Sequence, residues 1–163
     1  MDLVKRQRDT LASLLQKCLS HNAASIEVDL FPSQILCLAN QVQFTEKVEE
    51  MMPQGLLSKI SEDLLKTFQS LSSLDFSVYS QVAGLKVKAL VLDMIHQRDV
   101  LDELIKDGSR NTSDWIWNKQ LRYYVSKGCE DCNVRICAAE CDYTYEYQGN
   151  QVSKLNGIPS HFL

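Results

Sequence analysis

Four cysteines late in the chain, Cys129, Cys132, Cys137 and Cys141, form a C-x2-C-x4-C-x3-C cluster, and closely spaced thiolates are what a zinc ion takes as ligands. The same spacing limits them. If Cys137 and Cys141 share one strand, four residues at about 3.3 Å each hold them roughly 13 Å apart, too far to share a tetrahedral ion. Only a turn between them would bring them together. The other role is structural, because free cysteine is among the most buried residue types. As a redox pair, Cys129 and Cys132 lack the preceding βα unit of a thioredoxin-type site.

Other reactive side chains are less organised. His96 continues the Leu85, Ala89, Leu92 stripe of a long helical pattern, where a hydrogen-bonded packing role is expected. No second histidine or carboxylate stands around it at metal spacing. His21 and His161 fall in loops. A phosphate cradle of the G-x4-G-K-[ST] kind needs converging backbone N–H groups and a lysine, and none of the six glycines is followed by lysine. A serine-nucleophile elbow, an H-E-x-x-H pair and a kinase signature are also absent. Trp115 and Trp117 could stack on a base or a sugar, but on a helix they point about 200° apart, so at least one is expected to be buried. No residue is therefore assigned to a catalytic, cofactor-binding or metal site. The sequon Asn111-Thr112-Ser113 would matter only in a secreted chain.

The chain has 163 residues, enough for one domain with a real core, and 45% hydrophobic with 23% charged residues is ordinary for a folded protein. Its seventeen Lys and Arg are scattered among twenty-one Asp and Glu, so the electrostatic footprint of nucleic-acid binding is missing. Met1 to Arg8 has basic residues with no continuous apolar run behind them, unlike a secretory signal, and no segment is apolar enough to span a bilayer. A cytosolic chain with reduced cysteines is the expectation.

The elements that must position these residues are mostly helical up to about residue 127. Val4, Leu11, Leu14, Leu15 and Cys18 give one apolar face to a first helix, and His21 to Asp29 is a polar connection. Pro32 opens a second helix at its first position. Ile35, Leu36, Cys37, Leu38 and Ala39 surround that helix with apolar side chains, so its first turns should be buried on all sides. Farther on, Phe44, Val48 and Met51 keep a stripe while Glu46, Lys47, Glu49 and Glu50 face water. Pro53 and Gly55 end it. Leu57, Ile60, Leu64, Phe68 and Leu71 mark a third helix, followed by a serine-rich join from Ser70 to Asp75. Val78, Val82, Leu85, Ala89 and Leu92 begin a fourth that runs to about Lys106 and stops at Gly108. A fifth is capped by Thr112 or Ser113 and carries Trp117, Leu121 and Tyr124 on one side. After Gly128 the period becomes two and continues through Tyr143, Tyr145 and Tyr147, with one bend near Ala138-Ala139. The fold class is mainly α: a bundle or rod of about five helices with a C-terminal β strand or hairpin.

Several blocks in order resemble the dynein heavy chains. Phe31 to Ala39 followed by Val42-Gln43-Phe44-Thr45-Glu46 is similar to a segment of the family's linker. Leu85 to Leu90 leading to Ile95 to Val100, then Asp114 to Tyr123, recur there in the same order. Tyr143 to Asn150 is similar to the strand that carries the chain from linker to motor ring. The match is best over residues 30–152, and the Phe-Pro-Ser-Gln start and Tyr-Glu-Tyr-Gln-Gly-Asn ending look most like the cytoplasmic dynein 2 branch, with retrograde intraflagellar transport as its task.

The resemblance implies a linker-like segment over residues 1–150 and a divergent tail over 151–163. In this family the linker is a helical rod that bends and straightens across an AAA+ ring as ATP is cycled, and this chain matches its ring-proximal end. It implies the ring and other linker helices as partners, with intermediate and light intermediate chains reached only through regions not matched here. Neither nucleic acid nor membrane is implied. Cytoplasm, cytoskeleton and cilium are the implied locations. Lys154-Leu155 keeps the family's step after the strand, but Asn156 to Leu163 stands where the loop near the adenine is expected, so no cofactor contact carries over and the chain alone is expected to be inert. A small zinc-binding or helical interaction module is the competing reading. A rod segment taken from its neighbours is also expected to expose apolar faces and to associate.

Overall fold

The computed structural model describes residues 3–20, 28–73 and 80–146. Within them the chain forms five helices, α1 (Leu3–Ser20), α2 (Ser33–Met51), α3 (Leu57–Ser72), α4 (Gln81–Asp107) and α5 (Trp115–Asn118). An antiparallel sheet of β1 (Arg122–Val125), β2 (Cys132–Ile136) and β3 (Ala139–Asp142), in that order, closes the described chain. Most of the His21–Asp29 connection, Asp75, Val78, Tyr147 to Asn150, His161 and the 151–163 tail lie outside the described residues.

α2 is the spine, packed against α1, α3, α4 and β1. Pro32 stands one position earlier than expected, at the N-cap, where its carbonyl accepts from the Ile35 and Leu36 amides at 3.0 and 3.1 Å. The first turns are buried on all sides: Ser33, Gln34, Ile35, Leu36, Leu38 and Ala39 are all inside. One core joins this half of α2 to Leu11 and Leu15 of α1, Val87, Leu90 and Met94 of α4, and the inner face of the sheet. A second core joins Phe44, Val48 and Met52 to the start of α3, the end of α4 and Trp117.

Left-handed glycines end two elements. Gly55 has φ of +72° after α2, and Gly108 has φ of +74° at the end of α4, where its amide and that of Ser109 bond back to Ile105 and Leu104. At the other end of α4, the Ser80 hydroxyl caps the helix by accepting from the Ala83 amide at 3.1 Å.

Three expectations are corrected. Val4 is 69% exposed and takes no part in the buried face of α1. The stripe Val82, Leu85, Leu92 is also outward-facing; α4 turns Ala83, Val87, Leu90, Met94, Val100, Leu101 and Leu104 inward instead, and His96 is exposed. The fifth helix lasts only from Trp115 to Asn118, preceded by Asp114 rather than by a capping Thr112 or Ser113. Leu121 and Tyr124 fit a helical interval, but Arg122 to Val125 pair with Arg135 to Cys132, and strand pairing takes the segment out of the helix.

Candidate functional site

The alternating segment turns after Ile136 through Cys137 and Ala138, since Ile136 pairs with Ala139, and Cys137 is left-handed at φ of +51°. A turn therefore does separate Cys137 from Cys141. It does not assemble a metal site: Cys137 is exposed at the turn while Cys129 and Cys132 are buried. Among the described residues no group of three or more His, Cys, Asp or Glu is placed to hold a metal ion. All six cysteines are free thiols. Burial pushes the Cys132 thiol up to about 12, with the neighbouring Cys129 adding to it and the Tyr145 hydroxyl opposing. Cys129 and Cys141 are also raised by burial, which keeps these thiols protonated and weakly nucleophilic at neutral pH.

The sheet alternates as its register requires. Tyr123, Val134 and Cys141 are cross-strand neighbours on the inner face, continued by Cys132 and Tyr143. Tyr124, Arg135 and Glu140 lie on the other face, where Arg135 stacks 4.6 Å over the Tyr124 ring and pairs with Glu140 at 3.1 Å.

The strap Tyr143–Glu146 leaves the sheet beyond β3 and is tied down by hydrogen bonds at several points. The Tyr143 amide donates to the Cys132 carbonyl at 2.7 Å, and the Tyr145 hydroxyl to the Cys129 carbonyl at 2.8 Å. Gln34, in the first turn of α2, donates to the Tyr143 hydroxyl at 3.0 Å and to the Glu146 carbonyl at 2.8 Å. The Tyr143 and Tyr145 rings meet edge to face at 5.1 Å. Both tyrosines are buried, 3% and 1% exposed, although Tyr145 is left-handed at φ of +53° and breaks the expected regular strand. Desolvation holds both hydroxyls in their neutral form, Tyr143 up to about 12. They serve as hydrogen-bonding anchors rather than as acids.

Farther along α2, Thr45 accepts from the Tyr123 amide at 3.1 Å. Glu49 Oε1 accepts from both Trp117 Nε1 at 3.1 Å and the Tyr124 hydroxyl at 2.6 Å. Glu49 is thus half-buried and bonded, not facing water as its neighbours Glu46 and Glu50 do. Gln34, Thr45 and Glu49 lie at helical intervals on one side of α2, and this polar line meets β1 and the strap. The line is visible in the sequence. Its partners, about 70 to 110 residues away, are not.

Polar groups of one helix thus grip a small sheet and the chain that leaves it. No protein-family model matches the chain. Curated relatives do. Cytoplasmic dynein 2 heavy chain 1 of Homo sapiens is 40% identical over 167 residues, an alignment that takes in 97% of this chain.

The chain belongs to the dynein heavy-chain family.

Cytoplasmic dynein 2 heavy chain 1 of Tripneustes gratilla is 38% identical over 170 residues, again 97% of this chain. Dynein axonemal heavy chain 2 of Homo sapiens is more distant, 29% identical over 163 residues and 91% of the chain. The chain spans about 4% of the length of these heavy chains. Within this dynein segment Trp117 is fully buried, its ring 6.0 Å from that of Phe44, while Trp115 is 68% exposed. The pair thus divides between core and surface.

Proposed function

We propose that this chain forms the ring-proximal end of the mechanical linker of a dynein heavy chain, within an ATP-driven, minus-end-directed microtubule motor of retrograde intraflagellar transport. The alignment to cytoplasmic dynein 2 heavy chains over nearly the whole chain is the observation that carries this reading. The grip on the strap supports it, because a segment that transmits force needs its exit tied to its body. In this role Gln34, Tyr143 and Tyr145 fasten the exit, the two cores keep the helices stiff, and the partners are the AAA+ ring and neighbouring linker helices. The chain itself holds no nucleotide and turns over no ATP. Its place is the cytoplasm and cytoskeleton, and the cilium.

The test is a motor chimera. Residues 3–146 replace the aligned segment of a cytoplasmic dynein 2 heavy chain, and microtubule gliding and ATPase are measured together. The chimera should move microtubules. With Gln34→Ala and Tyr145→Phe added, gliding should slow several-fold while ATP turnover persists. A chimera that neither moves nor hydrolyses ATP, or strap substitutions that leave gliding unchanged, would sink the reading, as would ATP turnover by the isolated chain.

A further inference from the structure

Cys137 stands apart from the other cysteines. It is exposed in the β2–β3 turn, whereas Cys129 and Cys132 are buried and Cys18, Cys37 and Cys141 are partly covered. Burial also pushes the Cys18 thiol up to about 11 and the Cys37 and Cys132 thiols up to about 12, which leaves them little thiolate. The turn that carries Cys137 is held from two sides. Its amide donates to the Asn118 carbonyl at 2.7 Å, and Arg122 Nη2 donates to its carbonyl at 3.4 Å.

Arg122 is unusual in its own right. It is only 7% exposed, and its Nε is buried with no hydrogen-bond partner among the described residues. It forms no ion pair among them, while the cations around it do: Arg135, directly across from it on β2, pairs with Glu140 at 3.1 Å, and Lys119 pairs with Glu103 at 2.6 Å. Like charges opposite each other on a sheet repel, and a buried charge without a counter-charge is costly, so this end of the sheet favours an incoming anion. A cysteine sulfur lies within about 5 Å of its own carbonyl oxygen, which puts the Cys137 thiol within about 8 Å of Arg122 Nη2, no more than one Debye length at physiological ionic strength.

We propose that Cys137 is a modification site for small anionic disulfides of the glutathione type, with Arg122 as the positioning residue that draws the carboxylates of the incoming molecule. The Cys137 thiolate attacks one sulfur of the disulfide. A new S–S bond joins Cys137 to half of that molecule, the old S–S bond breaks, and the departing thiolate takes up a proton from solvent, replacing the one that Cys137 released. Cys137 is oxidised and the leaving half is reduced, so the disulfide itself is the oxidant.

The inference does not depend on the linker reading and is tested on the isolated full-length chain, reduced and then exposed in parallel to oxidised glutathione, which is anionic, and to cystamine, which is cationic. Peptide mapping by mass spectrometry gives the rate at Cys137 with each. The ratio of the two rates in the folded chain, divided by the same ratio in the urea-unfolded chain, removes the intrinsic reactivity of the reagents. The net charge of −4 by itself would favour cystamine. With Arg122 acting, the ratio of glutathione to cystamine should instead rise at least about threefold on folding, and the rise should fade in about 1 M salt. Cys137 should also react ahead of the other cysteines. Arg122→Lys should keep much of the preference and Arg122→Gln should lose it. Modification led by another cysteine, a ratio that does not rise on folding, or a preference that survives Arg122→Gln would overturn the proposal. The first two outcomes are read on the unaltered chain and decide the matter even where a variant fails to fold.

Discussion

Replacing Glu49 tests whether the sheet is held to the spine by one carboxylate. Its Oε1 accepts from Trp117 Nε1 at 3.1 Å and from the Tyr124 hydroxyl at 2.6 Å, tying α2 to α5 and to β1. A hydrogen bond to a charged group contributes about 1.5–3 kcal/mol, and a buried donor left without a partner costs about 1–3 kcal/mol. The two donors differ in surroundings. Trp117 is 0% exposed, so its N–H has no water to turn to, whereas Tyr124 is half-exposed and water can replace part of its bond. Discounting the second bond, Glu49→Leu should destabilise the chain by about 3–4 kcal/mol. Glu49→Gln keeps an acceptor oxygen but loses the charge, and should cost about half as much. Urea unfolding followed by tryptophan fluorescence reads both, and with a slope of about 2 kcal/mol per molar the leucine variant should shift the midpoint by about 1.5–2 M. Adding Trp117→Phe to Glu49→Leu should cost less than the sum of the two, because the orphaned donor leaves with its partner. A leucine variant costing less than about 1 kcal/mol, or a glutamine variant costing as much as leucine, would refute the reasoning.

Other outcomes follow from local geometry. A Cβ on Gly55 would lie 1.3 Å from Arg110 Nη1, the movable end of a side chain, so the lasting cost of Gly55→Ala is its left-handed φ of +72°, about 1–2 kcal/mol. That cost should survive in an Arg110→Ala background, and its disappearance in thermal melts would point to the clash instead. Ser80→Ala should lose about 1 kcal/mol by removing the cap of α4, and Ser80→Asn should restore most of it. Burial raises Cys37 and Cys132 from 9.0, and Tyr143 from 10.0, each to about 12, so the folded chain holds these protons more tightly than the unfolded one. Stability from this source is complete below about pH 9 and is lost as pH rises towards 12. The melting temperature should fall across that window as tyrosinate absorbance grows, and a flat profile would contradict the buried placement of these groups.

How much of this was legible in the sequence depended on the range of the interaction. The all-round burial of Ile35 to Ala39, the stop at Gly108 and the turn to period-two alternation are local signals, and each has its counterpart in α2, α4 and the β2–β3 hairpin. Helix faces were less secure. In α4 both sides carry apolar residues, and periodicity alone chose Leu85 and Leu92 over Val87, Leu90 and Met94. Arg122 to Val125 failed for another reason: spacing fits a helix there, but β2 supplies a partner that no local pattern announces. For the cysteines, spacing left zinc open only if a turn brought Cys137 and Cys141 together, and burial was the favoured reading. Their spacing permits zinc, yet the hairpin turns Cys137 out and Cys132 in.

The polar line on α2 explains how a small sheet can be held firmly without a large interface. Apolar packing resists separation but resists sliding poorly, because it is non-directional. Hydrogen bonds with fixed donors and acceptors set position along the helix. Gln34 fixes the strap, Thr45 the start of β1, and Glu49 the Tyr124 and Trp117 side chains, at successive points along a helix that both cores share. A displacement applied at Glu146 therefore meets Gln34 first, and reaches α1, α3 and α4 through the packed faces of α2. If one of these attachments is lost, the cores still hold α2 among its helices, but the register between helix and sheet is fixed at fewer points. Losing the Gln34 attachment should therefore loosen the register between helix and sheet more than it weakens the two cores.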